Sequence, residues 1–364
     1  MKFLFFILFS SQIFAASQVN PNMMAVAQTL KELFPYLVSS EKFNNKSQEK
    51  NIGEKITALN TLFIENQVHF KNAKVTRILN HELMLDVLNQ ADKNFKLGRK
   101  DYARQILKST PGICLSCHTQ DHIQNRFFPS PSLSDFTNLK DAAEFSLITR
   151  DYSKAKKYLK EYIEGKNKLS HEQILSGMRL SLATSLHDKT SYQDIATQLN
   201  DWKKLFKTEI YNKNLTEWES GLKSLEKSTP PEMNFNSIKK WMNKTLGIKD
   251  NSYGVLANNT EEIIYFKLKD YFYELLQTDI SRKETPEVLF YLALAEKALN
   301  YDFFFSLADA YLRACIKEFP KDPMAKKCFN EYKGFIEFSY TGSAGTDVPK
   351  DVTQELNSLE KLLK

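Results

Sequence analysis

The stretch Asn51-Ile52-Gly53-Glu54-Lys55-Ile56-Thr57-Ala58-Leu59-Asn60-Thr61-Leu62-Phe63 sets Ile52, Ile56, Leu59 and Phe63 at i, i+4, i+7 and i+11. That spacing gathers four apolar side chains on one stripe of a 3.6-residue helix, whereas a strand would scatter them over both faces. The rhythm returns in Met84, Leu88, Ala91 and Phe95, with Gly98 as a natural C-terminal stop and Asp101 placed to cap a helix beginning at Tyr102. Upstream, Pro21 to Val38 reads as another helix. Strand-like alternation is scarce, and 364 residues include only 11 glycines and 11 prolines, so the fold class expected is all-α.

The next helix carries Cys114-Leu115-Ser116-Cys117-His118, which spells C-x-x-C-H. Two thiols one turn apart can add to the two vinyl groups of a haem while the adjacent imidazole ligates iron, so these types at this spacing point to one covalently bound haem c. A zinc site would call for two more thiolates or imidazoles at matching spacing, and a redox dithiol for a βαβ context that the pattern lacks. Thr110-Pro111-Gly112, just before the motif, suggests a kink or a fresh helix start. Phe127 to Ser132, with two prolines, closes the segment.

Met1-Lys2 and the apolar run Phe3 to Phe9, followed by Ile13-Phe14-Ala15-Ala16, read as a secretory signal over residues 1–16. The expected localisation is the periplasm, where haem attachment and disulfide formation both belong. No later apolar run is long enough to span a bilayer. The formal charge of +6 is modest and spread over helix faces, so a nucleic-acid partner has little support. Cys315 and Cys328 flank the turn Phe319-Pro320-Lys321-Asp322-Pro323 about equally, and antiparallel helices would bring them level for a disulfide staple. The other reading of that pair is a dithiol switch.

From residue 131 helices continue in pairs. Phe145 to Ala155 has the helix, turn and small-residue rhythm of a tetratricopeptide-like hairpin, and Leu289 to Phe338 is a second candidate. The division expected is therefore a haem domain over 17–130, a helical repeat-like domain over 131–340 with a break within 228–260, and a loop with a short final helix over 341–364.

A single C-x-x-C-H near the end of about a hundred helical residues resembles the cytochrome c-prime family, the class II c-type cytochromes. The resemblance covers about Ser17 to Arg126 and is carried by Leu33-Phe34-Pro35-Tyr36-Leu37, the stripe through Leu62, Gly98 with Tyr102-Ala103-Arg104, and the haem motif, which is its specific element. It implies a four-helix bundle with haem held by Cys114, Cys117 and His118, and a helix-one side chain over the distal face of the iron. Counting back from Pro35, Met23 falls at that place. In some relatives a methionine there ligates iron; in others an apolar residue shields an open site. Met24 points about 100° away on the helix, so at most one of the pair can serve. Rivals for the sixth position are Met84, His69 and His81. The chain departs from the family pattern at His122, where a basic arginine or lysine is usual. Class I cytochromes place a methionine in a later loop, but Met178, the nearby candidate, sits in a helical pattern. The resemblance also implies a homodimer formed through the first two helices.

The leading function is electron transfer by an exported monohaem cytochrome whose helical tail docks a redox partner protein. The alternatives are a five-coordinate gas-binding or redox-sensing haem protein and an interaction scaffold with a structural haem. An enzyme is not expected, because the P-loop, G-x-S-x-G and H-E-x-x-H motifs are all missing.

Overall fold

The computed structural model describes residues 21–67, 75–120, 133–136, 138–148, 151–165, 169–247, 257–278, 280–299, 307–343 and 345–364. Residues 1–16, expected to be a secretory signal, His69, His122 and the expected closing segment 127–132 lie outside them. Within the described residues the chain is all-α: sixteen α-helices, two three-residue 3-10 turns and one hairpin of two-residue strands.

The first helices are α1 (Pro21–Leu37), the short α2 (Ser40–Asn44), α3 (Glu49–Asn66), α4 (Val75–Lys96) and α5 (Lys100–Gln120). All eight stripe residues of α3 and α4 named above are buried. Each of the seven larger side chains, all but Ala91, contributes roughly 2 kcal/mol when taken from water, which is why the stripe and not the helix propensity holds these elements in place. α1 packs on α3, α3 on α4, α4 on α5, and α5 returns to α1. Side-chain pairs fix the antiparallel register. Glu32 of α1 meets Lys55 of α3, Asn60 of α3 donates to Asn89 of α4 at 2.9 Å, and Arg104 of α5 donates to the Leu37 carbonyl of α1 at 2.9 Å.

Two local expectations are corrected. α5 runs without a break from Lys100 through Pro111 and Gly112 to Gln120, so no fresh helix starts at Pro111. Pro111 has no N–H to offer the Leu107 carbonyl one turn back, and the buried Thr110 hydroxyl donates to that carbonyl instead, at 2.7 Å. Asp101 does not cap α5, which has already begun at Lys100. Its carboxylate accepts from Asn44 and Ser40, each at 2.9 Å, and these bonds hold its pKa below the ordinary value. Gly98 ends α4 as expected, at φ +78°, a left-handed conformation that glycine adopts without strain.

The remaining helices are α6 (Leu139–Ile148), α7 (Tyr152–Glu164), α8 (His171–His187), α9 (Tyr192–Leu205), α10 (Glu209–Lys227), α11 (Phe235–Leu246), α12 (Asn259–Gln277), α13 (Thr285–Leu299), α14 (Ala308–Glu318), α15 (Pro323–Ser339) and α16 (Lys350–Leu362). Strands β1 (Thr341–Gly342) and β2 (Gly345–Thr346) form the hairpin before α16. Sequential helices pack in pairs: α6 on α7, α7 on α8, α9 on α10, α13 on α14, α14 on α15. Close approach of α10 and α12 depends on Gly221, where any Cβ would lie 2.4 Å from the Thr260 carbonyl oxygen. Cys315 and Cys328, both fully buried, bring their sulfurs to disulfide distance with Cα atoms 6.3 Å apart.

The later helices are joined to the first five. α12 packs on α5 and α14 on α4, and one continuous apolar core runs from Val26 to Leu359. At the α4–α14 contact, Arg313, 2% exposed, donates to Asp86 at 2.8 Å and to Asp309 at 3.0 Å, while Lys317 reaches Asp86 at 2.7 Å. Arg99 likewise pairs with Asp351 of α16. No helix among the described residues is long and apolar enough to cross a membrane.

Candidate functional site

The C-x-x-C-H motif occupies the last turns of α5. Because the helix is continuous there, residues 114, 117 and 118 share one face, the i, i+3, i+4 relation that lets two sulfurs and an imidazole address one planar group. Cys114 is half-buried and packs against the apolar core; the side chains of Cys117 and His118 lie outside the described set. Ile113, the residue before the motif, is buried in the same core.

Register decides which residues stand opposite. α1 and α5 are antiparallel and tied where Arg104 grips Leu37. Met23 lies fourteen residues before Leu37, and His118 lies fourteen after Arg104. At 1.5 Å per residue both are about 21 Å from the tie, on the same side of it, so the two fall at one height in the stack. Met23 is half-buried, whereas Met24 is 51% exposed and turned outward, which removes it as an alternative.

The same reasoning brings Met84 into the layer. Glu32 with Lys55 levels Met23 with residue 64 of α3, and Asn60 with Asn89 levels residue 65 with Met84. Met84 is 2% exposed and belongs to the core. His81, one turn earlier on α4, is buried with its Nε2 at 2.8 Å from the Phe63 carbonyl oxygen. That contact engages the ring in tying α4 to the end of α3, so it is the less suited rival. Met178 is fully buried in the middle of α8, a helix as its pattern indicated.

The donor types fit a covalently attached haem as far as they are described: the C-x-x-C-H spacing lies on continuous helix, and Cys114 packs against the apolar core. Among the described residues no group of three or more His, Cys, Asp or Glu side chains gathers.

Sequence reasoning missed two features of this surrounding. One is the Asp86–Arg313 link, whose partners are 227 residues apart. The other is a pair of buried acids on α6, Asp141 and Glu144, each 6% exposed and lying beside the helix that carries the motif. Their sequence signal is slight: a glutamate inside the apolar run Ala142-Ala143-Glu144-Phe145. No family model, curated protein or solved structure matches the chain.

Proposed function

We propose that this protein is an exported c-type cytochrome that transfers electrons through one covalent haem c. Cys114 and Cys117 would hold the group through thioether bonds and His118 would ligate iron, with Met23 as the sixth ligand. The observation that carries the reading is the C-x-x-C-H face on an unbroken α5 with Met23 at the height of His118. When bound, the haem supplies a reversible one-electron iron couple. The chain's part is to fix the imidazole on a rigid helix, to exclude water with the core residues Ile113, Leu83 and Met84, and to offer a soft sulfur that suits either valence with little movement.

The cyclic packing of α1, α3, α4 and α5 supports a four-helix bundle of the cytochrome c-prime kind. The paired helices from α6 onward support a tetratricopeptide-like block that docks a redox partner protein in the periplasm. The block lies directly on the haem helix through α12, so a partner bound to it would be held near the electron's exit.

Absorption spectroscopy of the exported protein beside Met23→Leu is the test. The ferric wild type should be low-spin with a sulfur-to-iron charge-transfer band, and Met23→Leu should become high-spin and bind carbon monoxide or nitric oxide rapidly. An unchanged spectrum in Met23→Leu refutes ligation by that sulfur, and a wild type that is already high-spin and open to gases favours a gas-binding role. A colourless chain from cells competent in cytochrome maturation refutes the reading altogether.

A further inference from the structure

We infer that Glu144 is the proton acceptor coupled to electron uptake at this site. The inference rests on the reading of α5 as a haem helix, and it concerns a residue outside the ligand set.

The geometry is that of an acid held away from water beside the motif's helix. Asp141 and Glu144 stand one turn apart on α6, both 6% exposed. Lys140, on the same helix, lies at ion-pairing distance from Glu144, 3.8 Å, and its ammonium also donates to Ser176 of α8 at 3.1 Å. Lys108 of α5 acts on both acids from the haem helix, and Lys42 of α2 acts on Asp141. On α7, the Tyr162 phenol is pushed up by burial and by the charges of the two carboxylates. α1 meets α6 through Phe34, whose ring centroid lies 5.9 Å from that of Phe145. Burial outweighs the two lysines and pushes the Glu144 carboxyl up to about 7, with the charge of Asp141 adding to the rise. Glu144 therefore changes charge near neutral pH, where most carboxylates are fixed.

The height of this acid follows from its neighbour: Phe145 packs on Phe34 of α1, and Phe34 is level with residue 107 of α5 by the Arg104–Leu37 tie, next to Lys108, whose charge acts on Glu144. The acid thus sits about 9 Å along α5 from Cys114 and about 15 Å from His118, at 1.5 Å per residue. Inside a low-dielectric core a unit charge is felt over that span. The balance is simple. As one electron from an external one-electron donor enters the ferric iron, the Glu144 carboxylate takes one proton from solvent; on oxidation the proton returns to solvent, and the only bond made or broken is the carboxyl O–H.

Spectroelectrochemical titration of the holoprotein tests this, with Glu144→Gln and, as a packing control, Asp141→Asn. The wild-type midpoint potential should fall as pH rises through the region about 7 and level off on either side, the slope should vanish in Glu144→Gln, and it should persist in Asp141→Asn. A second readout needs no variant: a reduced-minus-oxidised infrared spectrum of the wild type near neutral pH should gain a protonated-carboxyl band. A wild-type potential flat with pH, a slope retained in Glu144→Gln, or no carboxyl band on reduction overturns the inference. A coloured protein with a flat potential defeats this inference alone, whereas a colourless one defeats the haem reading with it.

Discussion

Replacing Asp86 by Asn keeps the shape of the side chain and removes the charge that α4 offers to α14. Arg313 is 2% exposed and has two anionic partners, Asp86 on its Nε at 2.8 Å and Asp309 on its Nη1 at 3.0 Å, with the Tyr332 hydroxyl at 3.4 Å. Breaking a buried pair strands the surviving charge and costs about 3–5 kcal/mol. Here Asp309 remains, the Asp86 side chain is 22% exposed and Lys317 can turn to solvent, so the lower end, about 3 kcal/mol, is expected. Urea denaturation measures it. All three tryptophans, Trp202, Trp218 and Trp241, lie beyond α5, so their fluorescence reports the later helices while far-ultraviolet circular dichroism reports every helix. Both probes should move to lower urea together in Asp86→Asn, because the contact joins the two groups of helices. The pH dependence has a definite sign. Burial raises the Asp86 carboxyl, but Arg313 and Lys317 outweigh it and hold it below 3.8. Its stabilisation is therefore present above that value and lost as pH falls through the lower folded value, and the variant should lack this acid-sensitive part. A loss under about 1 kcal/mol would mean that solvent screens the pair as it screens a surface salt bridge, and the argument from burial would fail.

Thr110→Ala should leave the Leu107 carbonyl without the donor that stands in for the missing proline N–H, lowering stability by about 1–2 kcal/mol in thermal denaturation. Thr110→Ser should recover most of the loss, and a neutral Thr110→Ala would show that water or a local shift serves the carbonyl as well. The link between Cys315 and Cys328 closes a separation of 13 residues, so the double alanine variant should be less stable by about 3 kcal/mol. Mass measurement after alkylation of the untreated protein checks the bond directly, since two reactive thiols would disprove it.

Much of the helical skeleton was legible because its signals are local. The stripe Ile52, Ile56, Leu59, Phe63 and its echo in α4 predict buried helix faces, and all eight residues are buried. Gly98 stops α4 where its conformational freedom suggested. The alternative of a fresh helix start at Pro111 fails because a proline inside a helix removes one hydrogen bond without ending the helix, and only the conformation of Thr110 shows that the orphaned carbonyl has another donor. Asp101 misled for a similar reason: a carboxylate near a helix start can cap it, and here Ser40 and Asn44, far back in the chain, claim it instead.

By itself the sequence determined the all-α class and displayed the C-x-x-C-H motif, since a 3.6-residue period and a C-x-x-C-H spacing are relations between residues a few positions apart. Tertiary structure alone decided that Arg104 ties α5 to the end of α1 at Leu37, that Arg313 meets Asp86, and that Glu144 is buried beside α5. Those are matters of register and approach between distant helices, and they turn on packing and desolvation that no periodic pattern records.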